Sequence, residues 1–260
     1  ASPPLTEILL KKHMLISSPA IVLNRITLND TTLIVNLYTR QMGSVAFAIK
    51  RAKTSKAGIQ SALLQPLSSI SVEWEHKNTK RLQHMSSISV LQPYTSIPYH
   101  PQKNIMASLL SEILYHSTKQ EHQGDLYDLI TDSLRWLDNA SGHFSNFNIT
   151  FLIRLICQLG FHPNTDNPSS YPFFDLQNAE FTPKRPSHNY YLCPNDAQYI
   201  PLFMSLNYSN MHLLKTTHQQ RFRALKIITT YYKLHITGFP DVKSLDIVNE
   251  LLKPKTAIRS

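Results

Sequence analysis

The densest group of residues able to do chemistry is Lys50-Arg51-Ala52-Lys53-Thr54-Ser55-Lys56, four cations in seven residues. On a loop, such side chains can follow a phosphate backbone and neutralise it without reading any base. Lys77, Lys80 and Arg81 form a second group that can continue the track, and Arg25 and Arg40 add single cations earlier in the chain. Residues 1–92 hold eleven Lys and Arg against four acids, Glu7, Asp30, Glu73 and Glu75. The remainder carries fifteen basic and thirteen acidic side chains, so most of the formal charge of +9 belongs to the first third. A polyanion is therefore expected to bind there. A solvated loop is the alternative reading of any short basic run. Among the aromatics, Trp74 and Phe47 share faces with aliphatic residues and are expected in a core. Tyr38, on a mixed face with Thr32, Ile34 and Asn36, is the candidate for stacking on a base, a contact worth about 1–3 kcal/mol.

Covalent chemistry has no comparable signal. The chain contains no phosphate-binding P-loop, dinucleotide glycine fingerprint, G-x-S-x-G elbow or H-E-x-x-H pair. Its six glycines are too few for phosphate-cradling loops, and its twelve histidines are dispersed, His76 and His84 flanking strand ends without an acid or thiol in register. Within the basic region only Asp30, Glu73 and Glu75 are available to hold a catalytic metal, which ranks a nuclease last. Cys157 and Cys193 are too few for a disulfide framework or a four-ligand zinc module. Cys157 is expected to be a small buried hydrophobe on a helix, and a reducing cytoplasm is the simplest home. No cofactor and no metal are expected, and the chain reads as a binding protein rather than an enzyme.

The elements that position these residues change character once along the chain. Between residues 20 and 91, short runs rich in Val, Ile, Thr and aromatics alternate with period two, the mark of half-buried strands. Five strands are expected, at 20–26, 32–39, 44–50, 67–76 and 81–90. Val45, Phe47 and Ile49 share one face of the third, and Ile70, Val72 and Trp74 one face of the fourth. A small twisted sheet of this kind buries its apolar face by curling into a five-stranded oligonucleotide-binding barrel (OB-fold), assigned to residues 14–92. Pro93 to Pro101 mark a boundary, and residues 93–260 read as an all-helical domain. Apolar stripes run through Ile105, Leu109, Leu110, Ile113 and Leu114, through Leu126, Leu129, Ile130, Leu134 and Leu137, and through Phe151, Leu152, Leu155, Ile156 and Leu159, the last stopped by Gly160. Further helices are expected at 219–235, and at 244–252 behind a Ser244 cap. Residues 164–201, rich in Pro, Asn and Ser, read as an irregular insertion packed through Phe173, Phe174, Tyr190 and Tyr191.

Several of these pieces, taken in order, resemble the bacterial RecO family over roughly residues 20–252. They are Ala20-Ile21-Val22-Leu23, Asp30-Thr31-Thr32-Leu33-Ile34-Val35, Tyr38-Thr39-Arg40-Gln41-Met42-Gly43, Lys50-Arg51-Ala52, Leu64-Gln65-Pro66-Leu67 and Phe151-Leu152-Ile153-Arg154-Leu155 with Leu159-Gly160. Tyr231-Tyr232-Lys233-Leu234-His235 and Lys243-Ser244-Leu245 are similar to the family's last helices. The resemblance implies a recombination mediator in DNA repair. Such a protein binds single- and double-stranded DNA, anneals complementary strands, and acts with RecR to load RecA on strands covered by single-strand-binding protein. It also implies a pocket in the helical domain for the acidic C-terminal tail of the single-strand-binding protein. Arg135 and Arg154 are the candidate carboxylate partners there, with ordinary surface arginines as the alternative. Many relatives carry a four-cysteine zinc module after the third helix. Between Gly160 and Tyr199 this chain has only Cys193, so zinc is not expected.

The competing reading is a protein-interaction adaptor whose basic barrel binds acidic protein tails. Residues 1–13 read as an extension, because Ile8-Leu9-Leu10 precedes Lys11-Lys12, the reverse of a secretory signal, and strand character begins only after Met14. No run of about 18 apolar residues is present, since Arg154 interrupts the most hydrophobic stretch. A membrane partner is thus not expected, and the chain is placed in the cytoplasm with the nucleoid.

Overall fold

A computed structural model describes residues 14–50, 63–119, 124–166, 168 and 172–251. The chain divides into two compact units, residues 1–93 with 118–127, and residues 94–117 with 128–260. The first is a sheet of six strands: β1 (Met14–Asn29), β2 (Thr32–Thr39), β3 (Gly43–Lys50), β4 (Ser69–His76), β5 (Leu82–Gln83) and β6 (Met85–Gln92). Their order is β5-β3-β2-β1-β4-β6, antiparallel except for the short parallel β3–β5 pair.

This architecture is the expected mostly-strand unit followed by a helical one, with two differences in the sheet. The run expected as one fifth strand is two. Leu82 and Gln83 pair with Ala46 and Phe47 of β3, and after His84 the chain turns to pair with β4 from Met85 onward. The run from 81 to 90 has strand-like composition throughout, and only the pairing partners divide it. The barrel is also not closed. Its hydrogen-bonded order ends at β5 on one side and β6 on the other. Those edges are joined through His84, so the sheet curls until its edges approach without forming a continuous ladder.

β1 is twice shared, which explains its length. Its first half, Met14 to Ile21, pairs with β4, and its second, Ala20 to Asn29, pairs with β2. Alternate residues then meet inside: Ile16, Ala20 and Val22 of β1, Val35 and Leu37 of β2, Phe47 of β3, and Ile70, Val72 and Trp74 of β4, with Leu64 beneath. Phe47 and Trp74 pack edge to face at 5.4 Å, a geometry that adds about 0.5–1.5 kcal/mol to area burial. The Trp74 indole N–H donates to His76 Nδ1 at 3.2 Å, so this buried ring leaves no polar atom unmatched.

The second unit is built on α1 (Pro101–Ser117), α2 (Gly124–Asn139), α3 (Phe147–Gln158), β7 (Phe173–Asp175), β8 (Glu180–Thr182), β9 (Tyr191–Leu192), α4 (Pro194–Ala197), α5 (Tyr199–Met204), α6 (His218–His235) and α7 (Ser244–Leu251). The apolar stripes read from the sequence are largely its buried faces: Leu109, Leu110, Ile113 and Leu114 on α1, Ile130, Leu134 and Leu137 on α2, and Phe151, Leu152, Leu155 and Ile156 on α3. α1 packs on α7, and α3 on α5 and α6. Gly160, at φ +85°, closes α3 in a left-handed turn in which its N–H reaches Cys157 O and that of Phe161 reaches Ile156 O. Tyr231 and Tyr232 of α6 donate to the carbonyls of Phe161 and Leu152 at 2.7 and 2.9 Å, and burial pushes both hydroxyls above their usual range.

Three expectations for this unit are corrected. The insertion at 164–201 is not wholly irregular, because β7 pairs with both β8 and β9 in a three-stranded sheet. Asp175 organises it, accepting from the backbone N–H groups of Gln177 and Asn178, from the Asn178 amide and from His188 Nε2. Cys157 is exposed, as is Cys193, since it lies at the solvent edge of the α3 stripe. At α7 the Ser244 hydroxyl is buried without a hydrogen-bond partner. The Glu112 carboxylate of α1 accepts the N–H groups of Lys243 and Ser244, each at 2.8 Å, and fills the capping role.

Candidate nucleic-acid interface

Arg25 in β1, Arg40 in the β2–β3 turn, Lys50 at the end of β3, and Lys80 and Arg81 before β5 are all exposed. Lys77 is half-buried, and its ammonium lies 3.3 Å from Glu75 Oε2, which engages part of its charge within the fold. Arg51, Lys53 and Lys56 lie outside the described residues.

Register separates these cations into two places. Lys50 pairs with Thr32, whereas Thr39 pairs with Gly43, so Lys50 and Arg40 occupy opposite ends of the β2–β3 hairpin, about 23 Å apart at 3.3 Å per residue. Leu82 pairs with Ala46, which places Arg81 at the level of Val45, nearer the Arg40 end of β3. A single point charge is therefore not formed. A polyanion touching both groups must run along β3.

Gln83 presents Lys80 and Arg81, and nothing in the sequence singled it out. Its side chain is buried, its Oε1 accepts the Lys77 N–H at 3.0 Å, and its Nε2 donates to the carbonyls of Lys77 and Lys80 at 3.0 and 2.7 Å. One amide thus ties both ends of the 77–80 turn and leaves the cations outside it. The only sequence signal was a polar residue at an inward position of an alternating run.

Tyr38 is a correction. Its relative exposure is 0%, as is that of Ile21, which it faces across the β1–β2 ladder. Thr32, Ile34 and Asn36 of the mixed face are half-buried, but the Tyr38 ring is covered and is not presented to a base.

In the helical unit, Arg135 and Arg154 approach one aromatic group. Trp136, Phe147 and Tyr208 stack mutually at 5.1–5.8 Å between centroids. The Arg154 guanidinium lies 5.1 Å from the Tyr208 ring, a cation–π contact. Tyr208 donates to Ser133 Oγ at 2.6 Å, and burial raises its hydroxyl pKa. A groove of about 610 Å³ runs past Asp132, Arg135, Trp136, His143, Tyr208 and His212. Arg135 donates to Asp132 at 2.8 Å, a bond that an incoming carboxylate would have to compete with. His143 holds a left-handed backbone at φ +62° on the groove's rim, an uncommon conformation for a residue other than glycine.

Among the described residues no cluster of three or more His, Cys, Asp or Glu side chains can hold a metal ion, and no helix is long and apolar enough to cross a membrane.

A sheet unit of the oligonucleotide-binding fold type bearing exposed cations, followed by a helical unit with an aromatic and basic groove, defines a class of two-unit proteins by fold. Comparison with known families narrows that class. Residues 14–94 match the model for the Recombination protein O N terminal domain, and residues 99–246 match that for the Recombination protein O C terminal domain. The chain is 38% identical over 239 residues to the DNA repair protein RecO of Phocaeicola vulgatus, covering 92% of this chain and 99% of the relative. It is 38% identical over 240 residues to that of Bacteroides fragilis, and 31% over 243 residues to that of Porphyromonas gingivalis, with the same coverage of both chains. The chain belongs to the RecO family.

Proposed function

We propose that the chain is a recombination mediator in DNA repair, acting by binding and strand annealing without covalent chemistry, metal or cofactor. Arg25, Arg40, Lys50, Lys80 and Arg81, with Arg51, Lys53 and Lys56, contact phosphates of single- and double-stranded DNA, and Lys77 contributes where Glu75 releases it. By neutralising two strands at once, these cations lower the repulsion that opposes pairing. Acting with RecR, the protein assists loading of RecA on DNA covered by single-strand-binding protein. The acidic tail of that protein occupies the groove beside Arg135 and Arg154. The setting is the cytoplasm, on the nucleoid.

The observation that carries this reading is the concentration of exposed cations on the sheet unit of a RecO-family chain. Its test is fluorescence annealing of complementary oligonucleotides coated with single-strand-binding protein. The wild type is expected to accelerate annealing, and a variant carrying Lys50→Glu, Arg51→Glu, Lys80→Glu and Arg81→Glu to lose that acceleration with its fold intact by circular dichroism. Equal rates for the two proteins would remove the sheet unit as the DNA surface. Arg135→Glu with Arg154→Glu is expected to leave annealing of bare DNA unchanged and to abolish it on coated DNA.

A further inference from the structure

Of the seam at which the sheet fails to close, only Lys50 has a role in the reading above. Among the described residues, β3 has no partner on its β5 side beyond Phe47, and β6 pairs with β4 alone. Between them lies a groove of about 570 Å³. Ala48, Ile49 and Lys50 line it from β3, and His84 to Ile88 from the β5–β6 side, over Leu63 and Leu64.

Three properties suit this groove to an extended peptide. First, β6 is an edge strand of eight residues, Met85-Ser86-Ser87-Ile88-Ser89-Val90-Leu91-Gln92, with no charge and no proline. Folded proteins ordinarily guard such an edge with short length, charge, proline or cover, because its unpaired N–H and C=O groups template another strand. Val90 and Leu91 are nearly half exposed, at 49% and 48%. Irregularities in the β4–β6 ladder fall between Ser69 and Ile70 and between Glu73 and Trp74, so the four pairs from Ile70–Val90 to Glu73–Ser87 stay in register. Second, the described lining residues pair apolar side chains, Ile49, Leu64, Met85 and Ile88, with the cation Lys50 and with His84, and include no acid, although Ser87 donates its hydroxyl to Glu73 at 2.8 Å. Third, among the described lining residues there is no Phe, Tyr or Trp, so they offer no such platform on which single-stranded bases stack.

We propose that this seam is a docking site for an extended acidic segment of a partner protein, which adds to β6 as a further strand. Main-chain hydrogen bonds to β6 supply affinity, the apolar floor takes alternate side chains, and Lys50 with His84 selects acidic residues. A second copy of the chain suits the site poorly, because its sheet unit is basic and its own edge strand β6 carries no acidic residue for Lys50 to select.

The test uses the full chain and a fluorescein-labelled nine-residue peptide of alternating glutamate and valine, followed by anisotropy and by hydrogen exchange. Binding is expected with slowed exchange at Met85–Gln92, and Lys50→Glu with His84→Glu is expected to weaken it at least tenfold. Because a strand added to one edge uses alternate amides, N-methylating the peptide at one set of alternate positions should cost at least tenfold and at the other set little. Equal losses from the two methylation patterns, or absence of protection at β6, would overturn the proposal. An oligothymidylate that protects β6 while the peptide does not would reassign the seam to nucleic acid, and protection that rises with protein concentration alone would reassign it to a second copy. The methylation readout involves no DNA contact, so its outcome is separable from that of the annealing experiment.

Discussion

Asp138 shows how much one side chain can organise. Its carboxylate, 8% exposed, accepts the N–H groups of Thr95, Ser96 and Ile97 at 2.8–2.9 Å and the Thr95 hydroxyl at 3.1 Å. The buried Lys103 ammonium donates to Ser96 Oγ and to the carbonyls of Asp138 and Ala140, and desolvation lowers its pKa although Asp138 opposes this. Burial alone would raise the Asp138 pKa, but the hydrogen bonds outweigh it and the net direction is down. Asp138→Ala leaves three backbone donors unmatched and is expected to cost about 3 kcal/mol in urea denaturation. The sign of the pH effect follows: a lowered folded pKa stabilises fully above the unfolded value of about 3.9 and is lost as pH falls through the folded value. Asp138→Asn should therefore flatten the acid limb of the stability profile; an unchanged limb would assign it to other carboxylates. Such a role was not readable in advance, since Asp138 merely follows Leu137 at the end of an apolar stripe, and the partners of its carboxylate lie more than forty residues away.

Among elements, helix ends divide into those read locally and those supplied from a distance. Thr217 accepts the Gln220 N–H while the Gln220 side chain accepts the Thr217 N–H, a capping box at the start of α6. Thr217→Ala is expected to cost about 1 kcal/mol. For α7 the cap comes from α1, so Glu112→Ala is expected to fray residues 244–251 in hydrogen exchange and to cost about 1–2 kcal/mol, while Ser244→Ala should cost far less. A larger loss from Ser244→Ala would restore the local cap. The same division holds in the sheet. Strands β2, β3 and β4 were legible because each alternates between the core and the other face, whereas the break at His84 depends on β3 and β4 being at hand to accept the two halves.

For the whole molecule, charge distribution governs behaviour in solution. With four or five phosphate contacts, the plot of log affinity for a single strand against log salt is expected to have a slope of roughly −3 to −3.5, at about −0.7 per contact. Fluorescence titration across a salt series measures it, and a slope near zero would exclude phosphate tracking. Since register places Lys50 and Arg81 at different levels of β3, removing either group should lower the slope by its own share rather than abolish binding. In the helical unit, Asp175→Ala is expected to speed exchange across β7, β8 and β9, because its four hydrogen bonds hold the turn between β7 and β8 and tie His188 to it.

The sheet-then-helix division, strands β1 to β4, helices α1, α2, α3, α6 and α7, most of the apolar faces and the cationic bias of the first third were legible in the amino-acid order alone. Those features depend on periodicity and composition, which survive without knowledge of what packs opposite. Tertiary structure alone decided that Tyr38, Gln83 and Lys103 are buried, that Cys157 is exposed, and that the seam between β3 and β6 stays open. Burial of a polar group and pairing of an edge depend on partners far along the chain, and neither leaves a periodic mark of its own.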